Sequence, residues 1–154
     1  KRGESSGDAK GHLGALLESI VKESVRPVLV TRTEVPEHKR AFLCFDASAT
    51  GWQVIELART SPLFADLELH VAIAGHQKSV DAGDLDKVRG LLPNAEVLHL
   101  DGAPEEVLPK AWTERGADLV VMGAYGHSPL RRWIVGSVTT QLLRAARVPV
   151  LVHR

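Results

Sequence analysis

Short apolar runs alternate with amphipathic segments along most of this chain. The runs are rich in branched and aromatic residues, which is typical of buried strands, and they lie at 40–46, 67–74, 96–100, 118–122 and 148–152. Between them, apolar residues recur every three or four positions, which predicts helices over 52–61, 80–92, 104–115 and 137–146. Ser48 or Thr50 is a candidate cap for the first helix, and Pro62 marks its exit.

This alternation predicts an α/β fold with an open five-stranded parallel sheet and helices on both faces. We expect the strand order 3-2-1-4-5, plus an extra N-terminal helix–strand fragment. In such a sheet, ligands bind beyond the C-terminal ends of the strands, where the strand order reverses. Asp46 ends the first strand and Gly123 follows the fourth. The two segments are therefore expected to meet at one crevice.

The start of the chain repeats its end. Gly14 precedes Pro27 as Gly136 precedes Pro149, and the offset is 122 residues for both pairs (136 − 14 and 149 − 27). Val-Leu-Val-Thr-Arg follows the first proline, and Val-Leu-Val-His-Arg follows the second. A period of this length corresponds to a whole domain.

The repeat predicts three units. Residues 1–33 are interpreted as the last helix and strand of an incomplete upstream copy, 34–39 as a linker, and 40–154 as a complete domain. The fragment carries an apolar helical stripe that needs a partner, so it is not expected to fold alone. We expect the edge strand 28–32 to pair with 148–152, either within the chain or in a homodimer.

Composition narrows the function classes. Lys plus Arg and Asp plus Glu are each 19, which argues against nucleic acid as a partner. No apolar run is long enough to span a bilayer, so no membrane partner is predicted. The single cysteine, Cys44, is interpreted as a core residue, and a cytoplasmic location is expected. The seven histidines show no metal-ligand spacing, and His70 and His99 are interpreted as structural residues.

The most informative motif follows the fourth strand. Gly123-Ala-Tyr-Gly126 is followed by nine residues and then Gly136-Ser137, where a helix is predicted to begin. Glycines let the backbone approach a ligand closely, and the free N–H groups of a helix start favour an anion such as a phosphate. Ser137 adds a hydroxyl donor at that point. The pattern predicts a nucleotide-binding site.

These residues resemble the universal stress protein family. Its nucleotide-binding members carry Gly-x₂-Gly-x₉-Gly-(Ser/Thr), and the spacing from Gly123 to Ser137 is the same. The strand ending Asp46-Ala47-Ser48 resembles the family's first strand, 116–123 its fourth, and 148–152 its last. The resemblance covers about 39–154 and implies an adenine nucleotide alpha hydrolase-like fold. Tandem members with two copies are known, which agrees with the repeat.

The resemblance implies an ATP-binding, nucleotide-responsive regulatory module of the stress response, with Mg²⁺ as a candidate companion ion. Asp46 is expected at the ribose or adenine, the backbone near Ala72 or Ile73 at the base, and the glycine segment at the phosphates. The implied nucleotide-binding residues are Asp46, Ala47, Ile73, Met122, Gly123, Gly126, His127, Gly136, Ser137, Val138 and Thr139. Ala47 stands where the family commonly has glycine. No lysine or base is evident at the loop, so hydrolysis is expected to be slow or absent and no catalytic residue is assigned.

Other interpretations stay open at this point. The glycines also suit turns and close helix–sheet packing, and Asp46 also suits a helix cap. His127, Arg131 and Arg132 also suit a solvated basic loop. At the level of function, the alternatives are a dimerisation or interaction module that binds no nucleotide, and a slow ATPase.

Overall fold

The computed structural model describes residues 20, 21, 23–31, 37–75, 80–124 and 137–153. This part of the chain forms six strands, four α-helices and a short 3₁₀ helix at Pro62–Phe64. The strands are β1 (Val28–Val30), β2 (Arg40–Cys44), β3 (Glu68–Ala74), β4 (Glu96–Leu100), β5 (Leu119–Gly123) and β6 (Val150–His153). The helices are α1 (Ala49–Thr60), α2 (Ala82–Leu91), α3 (Pro104–Glu114) and α4 (Ser137–Ala145).

All six strands form one sheet in the order β1-β6-β5-β2-β3-β4. The prediction of five strands in the order 3-2-1-4-5 needs a correction, because β1 joins the sheet as a sixth strand beyond β6. The five strands β2 to β6 are parallel, and among themselves they lie in the order β4-β3-β2-β5-β6. The strand order reverses at β2, which has β3 on one side and β5 on the other.

The N-terminal fragment completes the edge of this sheet. β1 runs antiparallel to β6, with Val28 opposite Val152 and Val30 opposite Val150. The predicted pairing of the two edge segments is therefore confirmed within the chain. Val21, only 2% exposed, packs into the core beneath them. Most of the helix predicted within residues 1–33 lies outside the described residues.

The sheet separates two apolar clusters. Because successive residues of a strand point to opposite faces, Phe42 and Val120 lie on one side while Leu43 and Val121 lie on the other. The first cluster packs against α3 and α4 and is called the α3/α4 cluster; the second packs against α1 and α2 and is called the α1/α2 cluster. Helices thus cover both faces, as predicted.

Caps set the helix boundaries. The first helix begins at Ala49, three residues before the prediction, because the Ser48 side chain accepts a hydrogen bond from the Gly51 amide. The second begins at Ala82, since the Asp81 carboxylate accepts from the Asp84 amide at 2.8 Å. β2 ends at Cys44, two residues before the predicted end at Asp46. Asp46 therefore belongs to the loop between β2 and α1.

Candidate functional site

A crevice opens at the C-terminal ends of β2, β3 and β5, on the face covered by α3 and α4. It holds a cavity of about 70 Å³. It lies where the strand order reverses, which is where ligands bind in open α/β sheets. Its walls are formed by Cys44, Phe45, Asp46, Ala72, Ala74, Pro104, Leu108, Met122, Gly123, Val138, Thr139 and Leu142.

Three neighbouring strands supply the floor of the crevice. Strand register sets Cys44 beside Ala72 on one side and Met122 on the other. Ala74 extends this row by one more position on the same face of β3. The two alanines keep the floor low, because side chains larger than a methyl group would fill the space above the sheet.

Two helices supply the walls. Pro104 and Leu108 lie one turn apart on α3, and Val138 and Leu142 lie one turn apart on α4. These walls are apolar apart from Thr139, which is 8% exposed. Among the described lining residues, Asp46 is the only charged one. The crevice therefore combines an apolar slot with one carboxylate at its rim.

The carboxylate is held by the start of α1. Asp46 Oδ1 accepts hydrogen bonds from the Ser48 amide at 3.1 Å and from the Ser48 hydroxyl at 2.5 Å. The Ser48 Oγ lies 3.1 Å from Thr50 Oγ1 and accepts from the Gly51 amide at 3.1 Å. The cap of α1 is thus Ser48, and Asp46 is bonded to the cap. The interpretation of Asp46 as the helix cap itself is wrong.

Two glycines permit these close approaches. A Cβ on Gly51 would lie 2.7 Å from Asp46 Oδ1, so a larger residue there would displace the carboxylate. A Cβ on Gly123 would lie 2.7 Å from Thr50 Oγ1 and 2.9 Å from Thr50 Cβ. Gly123 therefore lets α1 pack closely against β5, which is the alternative role considered for the glycines.

Ala47 occupies an unusual backbone conformation. Its φ is 56°, in the left-handed region that costs a non-glycine residue about 1 kcal/mol. The turn at Ala47 brings the Ser48 amide back toward the Asp46 carboxylate, and these two residues bond to each other across it. Glycine would adopt this conformation without strain, so the departure from the family pattern carries a cost in stability.

The predicted site residues fall into three groups. Five of them line the crevice: Asp46, Met122, Gly123, Val138 and Thr139. Ala47 lies next to it in the loop, whereas Ile73 packs into the α1/α2 cluster on the far face of the sheet. On this strand the crevice is lined by Ala72 and Ala74 instead, because side chains alternate. Gly126, His127 and Gly136 lie outside the described residues, and Ser137 is described only as the first residue of α4.

Several lining residues were not among the predicted ones: Cys44, Phe45, Ala74, Pro104, Leu108 and Leu142. A signal for Cys44 was present, because it lies two residues before Asp46 and Cβ positions on a strand repeat every two residues. The residues on α3 had no such signal, since only the packing of the helix over the sheet places them at the crevice.

The thiol of Cys44 is suppressed as a nucleophile. Burial, and secondarily the negative charge of Asp46, raises its pKa from 9.0 to about 12. The thiolate is the reactive form, so this thiol stays protonated and inert near neutral pH. The interpretation of Cys44 as an unreactive residue at the core agrees with this environment.

Charged side chains cluster at the opposite end of the sheet, where the parallel strands begin. His70 is buried, and its Nδ1 lies 3.1 Å from Glu96 Oε2, while Arg115 also contacts Glu96. Arg40 Nε donates to Glu68 Oε2 at 2.9 Å. The bond from Arg115, with further contributions from its charge and from His70, lowers the pKa of Glu96. The interpretation of His70 as a structural residue agrees with these contacts.

The described residues contain no group of three or more histidine, cysteine, aspartate or glutamate side chains placed to hold a metal ion. None of their helices combines the length and apolar character that crossing a bilayer requires.

The chain belongs to the universal stress protein family, whose sequence profile matches residues 45–154. Universal stress protein Slr1230 of Synechocystis sp. is 35% identical over 160 residues, which include 100% of this chain and 56% of that protein. Universal stress protein Rv2005c of Mycobacterium tuberculosis is 26% identical and is covered over 57% of its length. The chain thus spans little more than half the length of these relatives.

Solved structures share the fold. A universal stress protein from Archaeoglobus fulgidus superimposes with a TM-score of 0.75 at 22% identity, over 92% of this chain and 54% of that one. A universal stress protein solved in complex with cAMP gives a TM-score of 0.61 at 21% identity, over 77% of this chain and 98% of that one. These likenesses support the α/β architecture described above.

Proposed function

We propose that the crevice binds ATP and that the chain acts as a nucleotide-responsive regulatory module with little or no hydrolysis. The observation that carries this proposal is the pairing of an apolar slot with a single carboxylate at the switch point of the sheet. A planar base fits between small floor residues and apolar helix walls, and a carboxylate accepts hydrogen bonds from ribose hydroxyls.

The start of α4 supports the phosphate end of this proposal. Val138 and Thr139, the second and third residues of the helix, line the crevice. Amides of a first helical turn have no partner within the helix, and the helix dipole favours an anion there. A related universal stress protein has been solved with cAMP, which is also an adenine nucleotide. Mg²⁺ would be held mainly by the phosphate oxygens, because the described residues contain no group of three or more histidine, cysteine, aspartate or glutamate side chains placed for a metal ion.

Isothermal titration with ATP tests the proposal. We expect saturable binding to the folded wild type and at least tenfold weaker binding for Ala74→Leu, because the longer side chain fills the slot. Ala145→Leu makes the same change on an exposed part of α4 and should leave the affinity unchanged. A folded wild type without saturable binding at millimolar ATP contradicts the proposal.

A second candidate function is favoured by the place of β1, whose outer side forms the edge of the sheet beyond β6. In this alternative the chain works as an interaction module through the outer side of β1 and binds no nucleotide. The same titration separates the two candidates, since an interaction module gives no heat with ATP. Light scattering with and without ATP then reports whether edge pairing responds to nucleotide.

The domain boundaries are also proposed. We infer that residues 1–33 end an upstream copy, that 34–39 link the copies, and that the complete unit is cytoplasmic. The 122-residue repeat, the longer relatives and the antiparallel β1–β6 pairing support this assignment. Expression of 40–154 alone tests it: a folded product with an exposed β6 edge, and hence more self-association, is expected.

A further inference from the structure

We propose that Ser48 is a positioning residue that orients the Asp46 carboxylate toward a ribose, and so sets the preference of the site for ribonucleotides. This inference rests on the proposed nucleotide function. Ser48 is not among the residues that line the crevice, so it acts through Asp46.

Every hydrogen-bonding position of the Ser48 hydroxyl is used. A hydroxyl has one hydrogen to donate and two lone pairs to accept with. The hydrogen goes to Asp46 Oδ1, because an ionised carboxylate only accepts. One lone pair accepts from the Gly51 amide. Thr50 must therefore donate the hydrogen of the third contact, which spans 3.1 Å.

This saturation fixes the carboxylate as well as the hydroxyl. Two donors of the same residue, the Ser48 amide and hydroxyl, converge on one carboxylate oxygen from different directions. Glycine at position 51 leaves room for this arrangement, because even a methyl group there would collide with that oxygen. Holding one oxygen on several sides fixes the plane of the carboxylate, and therefore the direction in which it meets a ligand in the crevice.

The hydrogen bonds from Asp46 through Ser48 to Thr50 extend to the other side of the crevice. Thr50, which donates to Ser48, lies against Gly123 at the end of β5. Asp46 and Gly123 lie on neighbouring strand ends and both line the crevice. The Asp46–Ser48–Thr50 chain therefore ties the orientation of the carboxylate to the position of the strand end across the crevice.

A carboxylate held in this way discriminates by the donors it meets. A ribose 2′-hydroxyl donates to it, whereas a 2′-deoxyribose leaves it without that donor, which costs about fivefold in affinity or more. The wild type is expected to prefer ATP over 2′-deoxyATP. In Ser48→Ala the carboxylate loses the hydroxyl bond and keeps the bond from the residue-48 amide, so it is held less firmly. The affinity for ATP is expected to fall about fivefold, while that for 2′-deoxyATP hardly changes.

Calorimetric titration of both nucleotides tests this, with three further variants. Ser48→Thr keeps the hydroxyl and should restore the preference, and Thr50→Val should lower it about twofold because Ser48 loses one partner. Ser61→Ala is the matched control, since the Ser61 hydroxyl also caps a helix start by accepting from Leu63 at 3.3 Å. It should leave the preference unchanged.

The outcomes separate this inference from the proposed function. A wild type that binds no ATP overturns the nucleotide function, and the ribose preference with it. A wild type that binds both nucleotides equally, or Ser48→Ala losing both equally, overturns the inference alone. The inference is also overturned if Ser48→Ala loses a preference of the wild type between ATP and inosine triphosphate. These nucleotides differ only in the base, so that result would mean that the carboxylate contacts the base.

A measurement without nucleotide tests the positioning itself. Side-chain scalar couplings of Asp46 in the free protein report its χ1 rotamer. One rotamer is expected in the wild type, Ser48→Thr and Ser61→Ala, and rotamer averaging in Ser48→Ala. A single unchanged rotamer in folded Ser48→Ala overturns the role of Ser48 whatever the titrations give.

Discussion

The two ends of the parallel sheet are built on opposite principles. At the N-terminal ends of the strands, long charged side chains link neighbouring elements, as Glu96 links His70 to Arg115. At the C-terminal ends, small residues leave a crevice with one charged group, Asp46, among its described lining. In a parallel sheet, all strands begin at one end of the sheet and finish at the opposite end. Charged contacts can therefore link the elements at the N-terminal end, while the C-terminal end stays open for a ligand.

The difference also shows where strain is tolerated. Ala47, which has a left-handed backbone, lies at the C-terminal end of the sheet, beside the crevice. Gly51 and Gly123 also lie there, and a side chain at either position would make contacts that are too short. Strained positions tend to gather where a site needs a fixed geometry. Four predictions test the contrast, from the largest expected effect to the smallest.

The reactivity of Cys44 should show the largest effect. At about pH 8, alkylation by iodoacetamide should be at least about a hundredfold slower in the folded protein than in urea, because burial holds the thiol pKa at about 12. Intact-mass analysis over time measures both rates at the single cysteine. Asp46→Asn should speed the native reaction only modestly, since burial is the larger cause. Native and denatured rates within tenfold of each other would contradict a thiol pKa raised to about 12.

Gly123→Ala should lower the free energy of unfolding by about 2 kcal/mol, because the new Cβ meets Thr50 at the start of α1. Urea denaturation measures the change. Gly90→Ala on α2 is the matched control: nothing lies within 4 Å of its Cβ, so it should raise stability by about 0.5–1 kcal/mol. Equal shifts in both variants would show that close packing at the C-terminal end of the sheet is unimportant.

Ala47→Gly should raise the free energy of unfolding by about 0.5–1 kcal/mol, since glycine adopts a φ of 56° without strain. Thermal or urea unfolding measures the gain. Ala49→Gly, at the first residue of α1, should have the opposite sign because its backbone is helical. Destabilisation by both substitutions would argue against the left-handed turn.

Glu96→Gln should give the smallest effect, a pH-dependent fall in the urea midpoint. The pKa of Glu96 is lowered in the folded protein, so its contribution is present above the ordinary value of 4.5 and is lost as pH falls through the folded value. Wild type should therefore exceed the variant near neutral pH, and the gap should close in acid.

Glu56→Gln is the control for the N-terminal end of the sheet. The pKa of Glu56 is also lowered, but its partner in this ion pair, Arg59, lies within the same helix. Glu56→Gln should therefore lower the urea midpoint less than Glu96→Gln does. Glu96 joins β4 to β3 and to the end of α3. A gap for Glu96→Gln that does not change with pH would mean that its charge does not stabilise this end of the sheet.

Local pattern was enough to predict most of the fold. The short apolar runs predict all five parallel strands to within two residues, and the 122-residue repeat predicts β1. Strand ends were harder: β2 stops at Cys44 because the chain turns at Ala47, and alanine gives no sign of a left-handed turn. The count of five strands is wrong because it leaves out β1, although the pairing of β1 with the last strand was expected.

The candidate site was predictable only in part. Asp46 lies two residues beyond the end of β2 and Gly123 ends β5, so topology brings them together, and both line the crevice. Ile73 was expected to meet the base through its backbone; its side chain packs into the α1/α2 cluster, since one step along a strand exchanges the two faces of the sheet. Leu108 and Pro104 reach the crevice through the packing of α3, a long-range contact that leaves no mark in the local sequence.

The antiparallel contact between β1 and β6 has a consequence for assembly. The two strands belong to one chain, and only residues 31–39 separate β1 from β2 in sequence. A tether of this length keeps an attached strand at a local concentration on the order of millimolar. Pairing at this edge is therefore insensitive to dilution, and an identical molecule that seeks the same edge of β6 must first displace a strand that is always present.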